Sequence, residues 1–577
     1  MNDSDSGLPR RRVLAGSAAL LGLGAPRLWQ PAGKLSPGAA AASCAPPPSF
    51  PANNPVYQQT YQNWSGGLTA DDVWTCTPSS TQDVVTLANW AVANGYRLRA
   101  RGRRHGWSPL TITADTGCAS PIVLVDTSSL ASMSMARPGV VRVQTGAVMD
   151  DLLAYLESNG YGVTATPAPG DLTVGGVLAV DAHGTAVPAD GETPVAGDYY
   201  GSLSNRILSL DAVVWDAGSA SYVLRTFERS DAQCAALLTH LGRAFLTEVT
   251  LSVRANYHLR CVSDVTIPAA ELFAAPATAG ARSFASYVHA SGRVEAIWFP
   301  FTDNPWLKVW TLSPQAPATS RLTTTPYNYP FADTVPKPVA DLAGAMVSGQ
   351  WYLAPTFGQA QYTTAAAGLT ATLSADLWGL SKNLLLYVKP TTLRMFANGY
   401  AVLTSSAGIQ RVVSEFATYF QQRLQAYAAA GSYPINGPVE IRVTRLDTAA
   451  ASPVAGAAPP ELSAIRERAE HPEWDVAVWL DVLTLPTTPD LGRFYRDLEQ
   501  FIFENYSGSY AAVRPEWSKG WAFTTAGAWT DATVIGTTIP AAFNAGPDPS
   551  WDSAVSTLDS LDPHRVFSNE FLGALVP

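Results

Sequence analysis

Two stretches near the start of the chain share one alternation of apolar and polar positions. In the first, Val84, Leu87, Ala88 and Ala91 recur at helical spacing within residues 80–94, which gathers apolar side chains on one face of a helix. Ser80 and Asp83 have the spacing of a capping box, and Gly95 supplies a stop. A strand over residues 96–100 should follow. The second stretch predicts a strand over 140–145, a helix over 148–158 with Leu152, Leu153 and Leu156 inward, a stop at Gly160 and a strand over 161–166. Both helices leave through Asn-Gly-Tyr, at 94–96 and 159–161, and each exit strand runs into a Gly- or Pro-rich loop. The expected product is an α+β lobe of two similar units whose loops point the same way, a geometry that suits ligand binding.

From residue 251 to 505 the pattern changes to longer strands, aromatic clusters and Pro-rich loops, with a flexible Ala/Pro linker at 449–460. Residues 506–577 regain Trp-, Gly- and Pro-rich turns and are expected to fold back on the first lobe. Two strands in the middle region carry charges where apolar residues prevail. Residues 293–301 read RVEAIWFPF, so both faces of the strand around Glu295 are apolar. Either Glu295 is buried against a cation or poised to exchange a proton, or the strand is an edge that lets it reach water. Residues 439–445 read VEIRVTR, which puts Val439, Ile441 and Val443 on the core side and Glu440, Arg442 and Thr444 on the other. That second face is either a cavity wall or a solvated sheet surface.

At 577 residues the chain exceeds what one core usually organises, so two or more lobes around a cleft are expected. Hydrophobic residues at 47%, charged residues at 15% and 17 Trp fit a large apolar interior. The net charge of −10 argues against nucleic acid or an anionic membrane as an electrostatic partner. Arg10, Arg11 and Arg12 precede the apolar run 13–23 and an Ala-rich stretch, so residues 1–43 read as an export signal of the twin-arginine type, and the mature protein as secreted or periplasmic. Five scattered cysteines without a CxxC or Cys/His cluster support no metal site; one disulfide is open, and at least one thiol is left over.

The chemistry concentrates in loops. Residues 99–109 (RARGRRHGWSP) combine four arginines, two glycines and His105. Glycines let backbone N–H groups approach an anion and arginines complement its charge, so the loop suits a pyrophosphate; the alternative is a basic surface turn. His105 has the chemistry of a nucleophile, a base or a cofactor tether. A second glycine loop, residues 166–176 (TPAPGDLTVGG), ends the other unit. No Rossmann fingerprint, Gly-x-Ser-x-Gly elbow or His-Glu-x-x-His helix accompanies them, which disfavours hydrolases.

In order along the chain, Arg101-Gly-x-x-His105-Gly-Trp, Val143-Gln-Thr-Gly-Ala147, Thr173-Val-Gly-Gly176, Ala182-His-Gly-Thr185, Phe245-Leu-Thr-Glu-Val-Thr250, Arg514-Pro-Glu-Trp-Ser-Lys519 and Asp562-Pro-x-x-x-Phe567-x-Asn569 resemble flavoproteins of the vanillyl-alcohol oxidase type. As a whole the chain resembles the covalent-FAD (class II) cholesterol oxidases. The resemblance implies a two-lobed fold: a split FAD-binding domain of two α/β subdomains (44–250), a substrate domain on a large antiparallel sheet (251–505) and a returning C-terminal segment (506–577). It implies FAD contacts at Arg101, Gly102, Arg103, Arg104, Gly106, Trp107, Thr173, Val174, Gly175, Gly176, His183, Gly184 and Asn569, with one covalent bond from His105 to the flavin 8α-methyl group. The bond should be single, because Asp171-Leu172 stand where doubly tethered members carry a cysteine. Glu516 replaces a histidine that many relatives have at that position.

The resemblance also implies Glu295, Glu440, Arg442 and Lys519 as catalytic residues, a 3β-hydroxysteroid such as cholesterol as substrate, and oxygen as acceptor with release of hydrogen peroxide. Coupled migration of a 5-ene to a 4-ene would fall to Glu295 first and Glu440 second, and Arg442 with Glu295 would gate oxygen. Extraction of sterol would bring transient contact with a membrane surface. Two other readings remain: the same fold oxidising a sugar, lactone or polyol, and a secreted non-catalytic binder of hydrophobic ligands.

Overall fold

The computed structural model describes residues 44–547 and 549–577, so the export signal expected at 1–43 lies outside the described residues. Both helix–strand units form, but in different sheets. Helix Thr81–Asn94 starts on a complete capping box, with Ser80 Oγ accepting from the Asp83 N–H and the Asp83 carboxylate accepting from the Ser80 N–H at 3.0 Å. It ends at Gly95, whose φ of 70° is the left-handed cap that glycine adopts without strain. Its exit strand Arg97–Arg101 lies parallel to Ile122–Asp126 in a four-stranded sheet completed by Thr69–Cys76 and Val56–Gln62.

The second helix, Met149–Ser158, buries Leu152, Leu153 and Leu156 as its spacing requires. It follows strand Val140–Gln144 of a five-stranded antiparallel sheet with Met133–Arg137, Phe245–Ser252, Ile207–Asp216 and Ser221–Glu228. The strand expected over 161–166 is only Tyr161–Gly162, paired with Arg254–Ala255. Beyond it the Tyr257 hydroxyl donates to the carbonyls of Val163 and Thr164, each at 3.1 Å, so a side chain replaces a neighbouring strand.

The nine-stranded sheet runs in the order Arg321–Thr323, Asp376–Leu380, His258–Asp264, Trp306–Leu312, Arg293–Trp298, Val439–Arg445, Val476–Thr484, Phe396–Thr404, Ala512–Pro515, antiparallel except for its first pair. Arg293–Trp298 is a central strand, which removes the edge-strand reading of Glu295. In register, Glu295 faces Lys308 on one neighbour and Arg442 on the other. The turn at 182–185 is stitched to the same place, because the Thr185 hydroxyl donates to the Val294 carbonyl at 2.7 Å and accepts from the Val443 N–H at 3.3 Å.

Two further expectations change. Residues 449–460 are fastened rather than flexible: Arg229 donates to the Ala458 carbonyl at 2.8 Å and Arg466 to that of Pro459 at 2.9 Å. Of the five cysteines, Cys76, Cys234 and Cys261 are buried free thiols, while Cys44 and Cys118 are disulfide-bonded.

Residues 562–569 anchor the strand that leads to His105. The Leu98 N–H donates to the Val566 carbonyl at 2.8 Å, and the Arg99 guanidinium to that of Phe567 at 2.5 Å. Asp562 accepts from the Tyr222 hydroxyl, from Arg243 at 3.0 Å and from the Phe567 N–H at 3.0 Å. Asp562→Ala would strand a fully buried Arg243, and breaking such a pair costs about 3–5 kcal/mol. Asp559, 2.8 Å from the same guanidinium, keeps the cost at the low end. The expected reading is a lower urea midpoint at unchanged slope.

Candidate active site

A cavity of about 490 Å³ lies where the two glycine loops meet the nine-stranded sheet. Residues 101–107, 172–173, 175–176 and 182–183 form one wall. Glu295, Lys308, Glu440, Arg442, Glu516 and Lys519 form the opposite one, which continues into apolar surface from Phe299, Trp306, Phe331, Val339, Leu393 and Met395.

The His105 loop is held from several directions. Arg104 turns the chain with a φ of 64°, and its carbonyl accepts from the Trp64 N–H at 2.7 Å. The Trp107 N–H donates to the Ser518 carbonyl at 2.8 Å, and its indole N–H to that of Met395 at 2.8 Å. The His105 ring stacks on Trp64, with centroids 5.6 Å apart and an interplanar angle of 14°. Its Nε2 lies 2.8 Å from Asp171 Oδ2, so the second loop fixes the imidazole of the first.

The loops meet through glycine: a methyl group on Gly102 would lie 2.2 Å from Thr173 Oγ1, and one on Gly175 2.9 Å from Thr145 Cβ. Thr173 caps the short helix Val174–Ala179, accepting from the Gly176 N–H at 3.3 Å.

Arg101, Gly102, Arg103, Arg104, Gly106, Trp107, Thr173, Gly175, Gly176 and His183 all line the cavity as expected. Their roles diverge. Arg101 is ion-paired with Asp126, Arg103 is exposed, and burial together with the Arg101 charge lowers the Arg104 guanidinium below its ordinary value. Three residues expected as cofactor contacts stand behind the wall instead. Val174 belongs to the core because its helix turns it inward; Gly184 presses on the Thr166 backbone; Asn569 donates to the Pro109 carbonyl at 3.0 Å and so braces the loop from outside. Arg99 is also removed from any anion, since it serves the carbonyls of Leu110, Thr111, Gly242 and Phe567.

The four expected catalytic residues converge. Arg442 bonds Asp481 and lies 3.4 Å from Glu440 and 3.7 Å from Glu295. Lys519 lies 3.6 Å from Asp481, its ammonium 4.5 Å from the centroid of the Trp107 ring. Burial raises the Glu295 carboxyl above its usual range against the pull of Lys308 and Arg442. Burial and the neighbouring Glu516 push Asp481 up to about 6. Although burial works against Lys519, Asp481 and Glu516 hold its ammonium above the ordinary value. His183 stacks on Trp479 at 3.6 Å and donates from Nδ1 to the Gly184 carbonyl; burial, then Arg442, lowers it to about 3, so it stays neutral.

Gly399 permits this crowding: a methyl group there would sit 2.6 Å from Asp481, 2.8 Å from Glu516 and 2.9 Å from Lys519. Cations beside carboxylates of unequal proton affinity can steady an oxyanion and accept a proton in one place.

The sequence reading did not single out Lys308, Asp481 or Tyr387. For the first two the signal was available, since each is a charge inside an unbroken apolar strand, as Glu295 is. Tyr387, whose hydroxyl donates to Glu295 at 2.7 Å, comes from a loop with no periodicity to betray it.

Comparison with known proteins accords with this site. A family model described as an FAD binding domain matches residues 74–216, and one described as cholesterol oxidase, substrate-binding, matches residues 258–577. A structure of a solvent-stable cholesterol oxidase is 55% identical, covering 92% of this chain and 100% of its own, with a TM-score of 0.91. The cholesterol oxidase of Brevibacterium sterolicum is 43% identical, covering 93% and 100% with a TM-score of 0.90. A chitooligosaccharide oxidase, 10% identical with a TM-score of 0.53, shares the fold alone. No match is found among curated protein sequences. With a substrate-binding model over residues 258–577 and a relative 55% identical along nearly its whole length, this chain belongs to the FAD-dependent cholesterol oxidases.

Proposed function

We propose that the protein oxidises the 3β-hydroxyl group of a sterol to the ketone, with FAD joined to His105 by one bond and oxygen as acceptor, and then moves the 5-ene to the 4-ene in the same cavity. The observation that carries the reading is the meeting of the His105 loop with the Glu295–Arg442–Glu440 cluster across one cavity whose remaining wall is apolar.

The residues present fit FAD. The wall at Gly102, Gly175 and Gly176 is bare backbone, Arg104 stands beside it, and Asp171 Oδ1 is buried there without a hydrogen-bond partner. Asp171 engages Nε2 of His105, leaving Nδ1 as the nitrogen for the tether. When bound, FAD supplies the hydride acceptor and its reoxidation by oxygen to give peroxide.

The protein supplies the proton chemistry. Glu440, half-buried beside Arg442, accepts the hydroxyl proton while Arg442 and Lys519 oppose the charge on the alkoxide. Glu295, deeper and more apolar in setting, carries a proton from C4 to C6 of the ketone. A sugar would leave hydroxyl groups unpaired against Phe299, Trp306, Phe331 and Met395, so the wall favours a sterol. A passive lipid carrier has no use for so many buried charges, which cost stability.

We assign residues 44–250 to the cofactor, 251–505 to the sterol and 506–577 to a segment serving both. Export through residues 1–43 would bring the enzyme to membrane sterol. Val347 and Tyr352, 53% and 61% exposed at the end of a helix whose Val339 lines the cavity, suit transient contact with the lipid surface.

The test is to precipitate purified protein in acid and, in parallel, to assay peroxide with cholesterol and with a panel of sugars. Yellow pigment in the pellet and peroxide from the sterol are expected. A colourless pellet overturns the tether, and preference for a sugar overturns the substrate.

A further inference from the structure

Strand Trp306–Leu312 places a lysine in the sheet interior. The Lys308 side chain is 0% exposed, and its ammonium makes no hydrogen bond to another protein group among the described residues. Four rings box it in, with centroids 3.1 Å (Tyr387), 4.6 Å (Tyr329), 4.9 Å (Trp310) and 5.3 Å (Trp306) from Nζ. Aromatic faces attract a cation, most strongly when it is desolvated. They do not discharge it, and burial still lowers the amine to about 8.

The carboxylate that answers this charge is Glu295, directly opposite in strand register with Oε2 3.9 Å away. Arg442 is a poorer counter-ion for Glu295, because its bond goes to Asp481 and Glu440 is the nearer of its remaining carboxylates.

We propose that Lys308 is a positioning residue for the isomerisation: from within its aromatic box it keeps Glu295 ionised and turned toward the cavity, ready to take a proton from the newly formed ketone at neutral pH. The proposal rests on the reading of Glu295 as the isomerisation base. In that step the C4–H bond breaks, its proton passes to Glu295 and its electron pair enters the dienolate; C6 then recovers the proton as the 4-ene forms, and Glu295 is restored. Lys308 keeps its own proton throughout, and no oxidant or reductant is consumed.

The groups facing the pair are Cys261 from strand His258–Asp264, Tyr329 and Tyr387 from loops, Glu440 and Arg442 from strand Val439–Arg445, and Asp481 behind Arg442. Without Lys308, Glu295, Glu440 and Asp481 would compete for Arg442, and Glu295 would take up a proton at higher pH.

The experiment uses holoenzyme of wild type, Lys308→Met, Lys308→Gln and Glu295→Gln. Isomerisation is followed from added cholest-5-en-3-one by absorbance of the conjugated enone, and oxidation by peroxide release, both across pH. Losing a cation within ~4–6 Å shifts a carboxyl by about 1–3 pH units, so both Lys308 variants should move the isomerisation profile alkaline by that amount. At pH 7 each unit lowers isomerisation about tenfold relative to oxidation.

An unmoved profile, even with a lower rate, overturns the proposal. Should both variants fail to fold, infrared difference spectra of wild type against Glu295→Gln at pH 7 decide. No protonated-carboxyl band from Glu295 is expected, and its presence overturns the proposal. If Glu295→Gln still isomerises, the base reading itself fails, an outcome distinct from an inactive Glu295→Gln beside an unmoved Lys308 profile.

Discussion

Glu295→Gln is expected to divide the reaction, releasing cholest-5-en-3-one where the wild type releases the 4-ene, while peroxide continues to form. Glutamine keeps the volume of the side chain and an oxygen for the Tyr387 hydroxyl, yet has no basic carboxylate. Loss of a positioned base typically slows proton transfer about 10²–10⁴-fold, and isomerisation should fall by that factor. The same change leaves the buried Lys308 ammonium without its anion. Removing one partner of a buried pair costs about 3–5 kcal/mol, so the variant should also melt earlier.

In the wild type the sign of the pH dependence follows from the role. Glu295 works as a base only when ionised, and burial raises its pKa above that of a free carboxyl. Isomerisation should therefore be full at alkaline pH and fade as pH falls through that raised value. Product analysis by enone absorbance checks both points, and unchanged 4-ene output from Glu295→Gln would remove the residue from the mechanism.

His105→Ala should produce an all-or-none change in where the pigment goes. Acid precipitation of the wild type leaves yellow colour with the polypeptide, whereas in the variant it passes wholly into the supernatant. The imidazole owes its orientation to the stack on Trp64 and the contact with Asp171, and neither neighbour offers a comparable nucleophile. Turnover should fall as well, since a flavin held only by contacts is less firmly placed against the Glu440–Arg442 cluster. Pigment that stays with the His105→Ala polypeptide would assign the tether to another residue.

Local rules carried the sequence reading where interactions were local. The capping box at Ser80 and the inward leucines of Met149–Ser158 depend on neighbours a few positions away, and both appear as expected. Period two was enough to mark Glu295, Glu440 and Arg442 as anomalies, though not to pair them. Pairing is a matter of register between strands, and Glu295 meets Arg442 only because Arg293–Trp298 lies beside Val439–Arg445. Failures arose where a distant side chain took over the work of the backbone. Tyr257 ends the strand at Gly162, and Arg229 and Arg466 pin the segment expected to be loose. The glycine loops were recognisable as a cradle, but which members face inward was not. Val174, Gly184 and Asn569 match the family motifs while serving as the frame behind it.

The grip of residues 566–569 on the strand and loop around His105 sets an order of events in the cell. Ribosomes make the chain from its amino end, so the segment bearing His105 emerges more than four hundred residues ahead of Val566, Phe567 and Asn569, which brace it. The seat for the flavin is thus completed by the last part of the protein to be made, and maturation belongs to the finished polypeptide rather than to the nascent one.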